Sequence, residues 1–248
     1  MAASAALRQD VPVVVPPASP SRNAIIARYR RLRAVSRQHH RRMQDFISQS
    51  ALLQQAQRIG LAEGRTLILA DPEEMSYALD LAIHTAPADR SRAIDRYARA
   101  AQPPRESDED LVLRAMRQAR FSVYRVARRH EAAGVIVEDT MRETELWLMD
   151  EGLEASVPDG HVMASRLYAP ESFWMTTGVQ VPVHGGLLLD LADEAPQLFR
   201  CNPCELADDR RFAQAIYRIG LGQGLMRKVR FQDVPEDVTD ADAPPPRA

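Results

Sequence analysis

Two groups of residues in this 248-residue chain have types and spacings that could do chemistry. The first is Cys201-Asn-Pro-Cys204. A C-x-x-C pair can supply half of a tetrahedral zinc site, or cycle between dithiol and disulfide. Zinc would need two further ligands. The chain has no second C-x-x-C, and the nearest imidazoles in sequence, His161 and His184, stand at no recognised ligand spacing. A thioredoxin-type site has a buried strand before its first cysteine, and Ala195 to Arg200 does not read as one, although Glu205 onward could be the following helix. A structural pair is therefore the plainer reading. Metal ligation by Cys201 and Cys204, or a thiol-dependent enzyme built on them, is its alternative.

The second group is a row of arginines near the start of the chain. Residues 1–60 carry a net charge of +8, and residues 61–110 a net charge of −5. On a helical projection Arg30, Arg33, Arg37 and Arg41 lie to one side of an apolar stripe, and Arg28, Arg31 and Arg42 to the other. A guanidinium bonds phosphate bidentately, so such a row can contact a nucleic-acid backbone; a protein partner or a membrane surface is the other possibility. The competing reading pairs it with the acidic segment that follows, where exposed ion pairs contribute only about 0–1 kcal/mol each. Tyr29 sits on the apolar stripe and no aromatics are interleaved with the arginines, which argues against a stacking platform for single strands.

Other catalytic signatures are missing from the sequence. There is no H-E-x-x-H, no G-x-S-x-G, no phosphate-binding loop of the G-x-x-x-x-G-K type and no G-x-G-x-x-G. Gly220-Leu-Gly-Gln-Gly224 reads as a helix stop ahead of a basic exit. Trp147 and Trp174 fall in strand-like runs and read as core aromatics, and His39-His40 reads as a solvated helix face. Whether the protein is an enzyme, and which cofactor it would use, does not follow from these residues.

The elements that must position these groups are legible in outline. Ile25, Tyr29, Leu32, Met43 and Phe46 keep a 4-3 spacing that Ser36 and His39 complete, and no Pro or Gly intervenes before Gly60, so one long amphipathic helix is expected from about Ser21 to Ile59. Asp71-Pro72-Glu73-Glu74 opens a second helix, residues 89–101 form a third, and Ser107 with Asp110 resembles a capping box for a fourth. From Phe121 the pattern turns to short β-rich runs: 121–126, 134–139, 145–150, 161–168 and 172–183, separated by turn residues. Helical character returns at Leu187–Leu191 and at Phe212, Ile216 and Ile219.

The expected organisation is an α+β protein: a disordered segment 1–21, a helical region 22–119, a small antiparallel β-meander or partly open barrel 120–183, helices over 184–233, and a disordered tail 234–248. Two cysteines are too few for a disulfide framework. The early apolar run Val11–Val15 is broken by proline and makes a poor signal peptide, so a cytoplasmic location is expected. The basic residues are 31 Arg and one Lys, Lys228, as a GC-rich genome would produce. With a net charge of −2 the molecule as a whole has no field that would draw it to nucleic acid.

The run Arg120–Val183, with Gly134-Val-Ile-Val-Glu-Asp, Glu145-Leu-Trp-Leu-Met-Asp and Pro158-Asp-Gly before a strand, resembles the small β-module of bacterial proteins that carry an SEC-C metal-binding motif. The cysteine-rich motif itself is absent, so the resemblance implies a fold for about a quarter of the chain and no activity. The expected function is non-enzymatic: a binding or scaffold protein that uses the Arg-rich helix and the β-domain as contact surfaces, with a protein or nucleic acid as partner. The weakened apolar seam of the first helix permits self-association.

Overall fold

The computed structural model describes residues 21–87 and 89–228. The two terminal segments expected to be disordered fall outside this range, apart from Ser21. The fold is α+β, with a five-stranded antiparallel sheet and helices before, within and after it.

Ser21 caps α1 (Arg22–Met43), its side chain accepting from the Ala24 N–H, and His40, Arg41 and Arg42 occupy the last turn, where cations suit the helix dipole. The expected single helix to Ile59 is in fact two. After α1 the chain makes a 3-10 turn, Gln44–Phe46, and Ile47 takes an extended conformation. Ser48 then caps α2 (Gln49–Arg58) through a bond from Ala51 N–H. The break lets α2 leave the α1 axis and pack on α3. A two-residue hairpin, β1 (Ala62–Glu63) and β2 (Thr66–Leu67), follows.

Asp71 starts the next helix as its sequence implies, capping a 3-10 turn at Pro72–Glu74 that runs into α3 (Met75–His84). Then come α4 (Ala93–Ala101) and α5 (Asp108–Arg117). The α5 cap departs from the capping-box expectation in one arm. Ser107 Oγ accepts from Asp110 N–H, but the Asp110 carboxylate reaches back to the N–H of Glu106 instead of Ser107.

The strands are β3 (Arg120–Arg129), β4 (Val135–Asp139), β5 (Thr144–Leu148), β6 (Val162–Tyr168) and β7 (Met175–Pro182). Their spatial order is β5-β4-β3-β6-β7, all neighbours antiparallel. Only the half β3-β4-β5 is a meander. The short helix α6 (Glu151–Ser156), capped by Asp150, carries the chain from β5 to β6 on the far side of β3, and the sheet stays open. After the sheet come α7 (Gly185–Glu194), α8 (Pro203–Asp208) and α9 (Arg210–Gly222).

Alternate residues of a strand point to opposite faces, and β3 shows what each face meets. Phe121 and Val123 enter a core with Leu81 of α3 and with Phe212, Ile216 and Tyr217 of α9. Tyr124 and Val126 enter another with Leu153 of α6 and Leu148 of β5. A third core joins Ile25, Tyr29, Leu32 and Val35 of α1 to α4 and α5, and also to Tyr168, Phe173 and Met175. Helical and strand segments thus share their cores.

Candidate anion-binding groove on α1

The stripe residues of α1 are buried, Ser36 and His39 among them. His39 is therefore not on a solvated face. Its Nε2 donates to the Glu109 carbonyl at 2.9 Å, which leaves Nδ1 to accept from the Tyr97 hydroxyl at 2.8 Å. Burial holds its pKa below the ordinary imidazole value, against the pull of the Glu109 carbonyl. What looked like a weakened seam is a polar clasp between α1, α4 and α5.

With the stripe fixed inward, the flanking arginines separate into two sets. Arg28 and Arg31 converge on Asp108 at the start of α5, and Arg28 also binds Glu171. Arg22 pairs with Glu154 of α6. Arg30 forks onto Glu151, with Nε and Nη2 contacts of 3.0 and 2.9 Å. These four basic side chains staple α1 to other parts of the same molecule, so the row expected to face a partner is much shortened at its N-terminal end.

Arg33, Arg37 and Arg41 share a different surface. They follow one another at i, i+4 and i+8, one per turn on a single helix face. Together with Ser36, His40, Thr177 and Gly178 they line a groove of about 590 Å³ between α1 and β7. Arg33 is the half-buried inner end, donating through Nη1 to the Thr176 carbonyl. Arg37 and Arg41 are exposed along the rim. Among the described residues no carboxylate lines the groove.

Two details shape the groove floor. Gly178 sits at φ +104°, a backbone conformation that L side chains rarely adopt, and a Cβ there would lie 3.5 Å from Arg33 Nη2. Any other residue would strain the strand at this φ, although its Cβ would make only ordinary contact with the guanidinium. His40 donates through Nδ1 to the Ser36 carbonyl at 3.0 Å. Burial, reinforced by the charge of Arg33, pushes its pKa down to about 4, so the imidazole is neutral at pH 7.

Beneath Thr177 lies a buried charge network. The Asp80 carboxylate of α3 accepts from Arg166 of β6 through Nε at 3.1 and 3.2 Å and Nη2 at 3.1 Å. It also accepts from the Thr177 hydroxyl at 3.3 Å and the Tyr217 hydroxyl of α9 at 2.9 Å. Burial alone would raise the Asp80 pKa, but Arg166 and these donors outweigh it and hold the group below the usual carboxylate range. The network ties β6, β7, α3 and α9 together under the groove, fixing Thr177.

The cysteine pair lies elsewhere and does not line the groove. Asn202 caps α8 and Pro203 takes its first turn, so the Asn-Pro between the cysteines is a helix start. Cys201 Sγ lies 3.1 Å from the Leu198 carbonyl, and Cys204 Sγ lies 3.3 Å from that of Met141. Among the described residues no group of three or more His, Cys, Asp or Glu side chains gathers as a metal site would require. Trp147 is half-buried, stacked on His130 at 4.2 Å and bonded to the Ala133 carbonyl.

Of the residues singled out from sequence, then, Arg33, Arg37 and Arg41 come together and Arg30, Cys201 and Cys204 do not join them. Ser36, His40, Thr177 and Gly178 were not anticipated. Among the described residues no helix is long and apolar enough to cross a membrane. No curated protein and no solved structure matches the chain. A family match runs from residue 23 to residue 227, most of the sequence, and the chain belongs to the family of unknown function DUF7986.

Proposed function

We propose that the protein is a non-enzymatic binding protein whose α1 groove takes an acidic segment of a protein partner. The observation that carries this reading is the groove's lining: three guanidinium groups at one-turn intervals, with no carboxylate among the described lining residues. Such a surface fits neighbouring Glu or Asp side chains, since guanidinium groups form charge-assisted hydrogen bonds with carboxylates. Nucleic acid is less favoured. Stable duplex binding draws on many phosphate contacts, and Arg22, Arg28, Arg30 and Arg31 are engaged within the molecule.

Fluorescence anisotropy with a labelled hexaglutamate peptide, a labelled DNA duplex and a labelled single strand tests the reading. Saturable peptide binding, weakened about tenfold by Arg37→Gln with Arg41→Gln, is the expected result. Tighter binding of either DNA, with a log–log salt slope steeper than about −3, would replace the peptide with nucleic acid. Absence of binding to all three would remove the groove as a contact surface.

A further inference from the structure

A second cavity, of about 680 Å³, opens where the loop after α3 meets the starts of β3 and α9. Its size is that of a small-molecule site. Its wall includes His84, the last residue of α3, which is 5% exposed and has no hydrogen-bond partner at either ring nitrogen. A neutral imidazole carries one donor and one acceptor, and buried polar groups are normally paired. Burial and the neighbouring charge of Arg166 keep this ring uncharged. The fold therefore places an unsatisfied donor and acceptor within the wall of this cavity.

The rest of the lining is cationic. Arg90, Arg92, Arg120, Arg166 and Arg210 contribute five guanidinium groups against three carboxylates, Asp95, Asp208 and Asp209. Those carboxylates are already held by arginines outside the lining: Asp95 by Arg117, Asp208 by Arg142 and Asp209 by Arg211. Arg92 and Arg166 are also committed, to Asp95 and Asp80. Arg90 makes no side-chain hydrogen bond or ion pair among the described residues, and Arg210 gives Nη1 to the Ala86 carbonyl at 2.8 Å. Both are exposed at the mouth. The mouth thus holds positive charge to spare, while the buried wall holds a neutral polar group.

We infer that this cavity binds a small phosphomonoester, its dianionic phosphoryl group held by the arginines at the mouth and an uncharged polar part of the molecule bonded to His84. The site is distinct from the α1 groove and stands or falls separately.

Calorimetric titration of the whole protein at fixed ionic strength, with ribose 5-phosphate, inorganic phosphate and ribose as probes, tests it. Ribose 5-phosphate should bind with one-to-one stoichiometry and about tenfold more tightly than inorganic phosphate, because only the former reaches His84. Ribose alone should give no heat. Arg90→Gln with Arg210→Gln should weaken both phosphate probes. His84→Leu should bring ribose 5-phosphate down to the affinity of inorganic phosphate while leaving the melting temperature equal or higher, since it removes an unpaired buried imidazole. Arg37→Gln with Arg41→Gln should change nothing, which separates this site from the groove. No ribose 5-phosphate binding at about 10 mM, equal affinity for the two phosphates, or affinities unmoved by both sets of substitutions would overturn the assignment.

Discussion

Asp80 and Arg166 face each other across the α3–β6 interface, 3.1 Å apart, with their side chains 3% and 7% exposed. Ion pairs this deep owe their effect on stability to what happens when one member is lost. A lone charge is left where water cannot reach it, whereas an apolar pair of similar volume is tolerated. Asp80→Ala or Arg166→Met should each destabilise by about 3–5 kcal/mol. Asp80→Leu combined with Arg166→Met should restore most of that loss in urea titrations. A double variant no more stable than either single one would refute the account of the pair as mutual neutralisation.

The arginines of α1 should differ sharply from one another. Arg30 is exposed and its fork onto the half-buried Glu151 stays open to water, so Arg30→Gln should cost no more than about 1 kcal/mol. Arg33 donates to the Thr176 carbonyl inside the groove, and Arg33→Gln should cost about 1.5–3 kcal/mol. Equal costs by chemical denaturation would mean that the groove end of α1 is no better ordered than the other.

Histidine burial sets an acid limit on stability. His39 and His84 are held below the ordinary imidazole pKa and His40 at about 4, in each case mainly by burial. The unfolded chain therefore takes up protons first, near pH 6.5. Above that pH these groups impose no protonation penalty on the fold, and stability is lost as the pH falls toward the folded-state values. Unfolding free energies from urea titrations between pH 7 and 4.5 should decline by up to about 1.4 kcal/mol per pH unit for each buried histidine. His84→Leu and His40→Gln should each flatten the slope. Asp80, Asp95 and Asp108 have folded values below their ordinary ones, so their losses enter at lower pH.

Two glycines of α9 make a matched test of packing. A Cβ at Gly220 would come within 2.8 Å of Val181 Cγ1 and 2.9 Å of Met226 Cε, whereas at Gly222 nothing lies within 4 Å. Gly220→Ala should lose about 1–3 kcal/mol to overpacking, despite alanine's better helix propensity. Gly222→Ala should gain up to about 1 kcal/mol. Thermal melts that move the same way for both would show that helix propensity, not contact with β7, governs this turn.

Much of the architecture could be read from residue order, and the exceptions have identifiable physics. The five β-rich runs coincide closely with β3 to β7 because alternation and turn residues are local signals. Their spatial order is not local, since it depends on α6 carrying the chain across the sheet, and six residues after Asp150 held no strong helical period. The break after Met43 was missed because no Pro or Gly marks it; Ser48, an ordinary N-cap residue, was its only sign.

The groove was half legible. Arg33, Arg37 and Arg41 are a row on any helical wheel, but Thr177 and Gly178 reach it from β7, and that juxtaposition is tertiary. Nor could the wheel separate Arg30 from its neighbours, since Glu151, its partner, is 121 positions away. His39 and His84 illustrate the general difficulty: sequence shows a titratable residue, while its burial depends on packing from distant elements.

The third core has a consequence for how the molecule is made. The helix α1 leaves the ribosome well before the ring and thioether groups that cover it, from Tyr168, Phe173 and Met175, have been translated. At ~5–20 residues per second its oily side waits on the order of ten seconds before those partners exist. During that interval α4 and α5 are the first cover available to it, and a newborn chain stalled before residue 168 should be markedly prone to clump or to be held by chaperones.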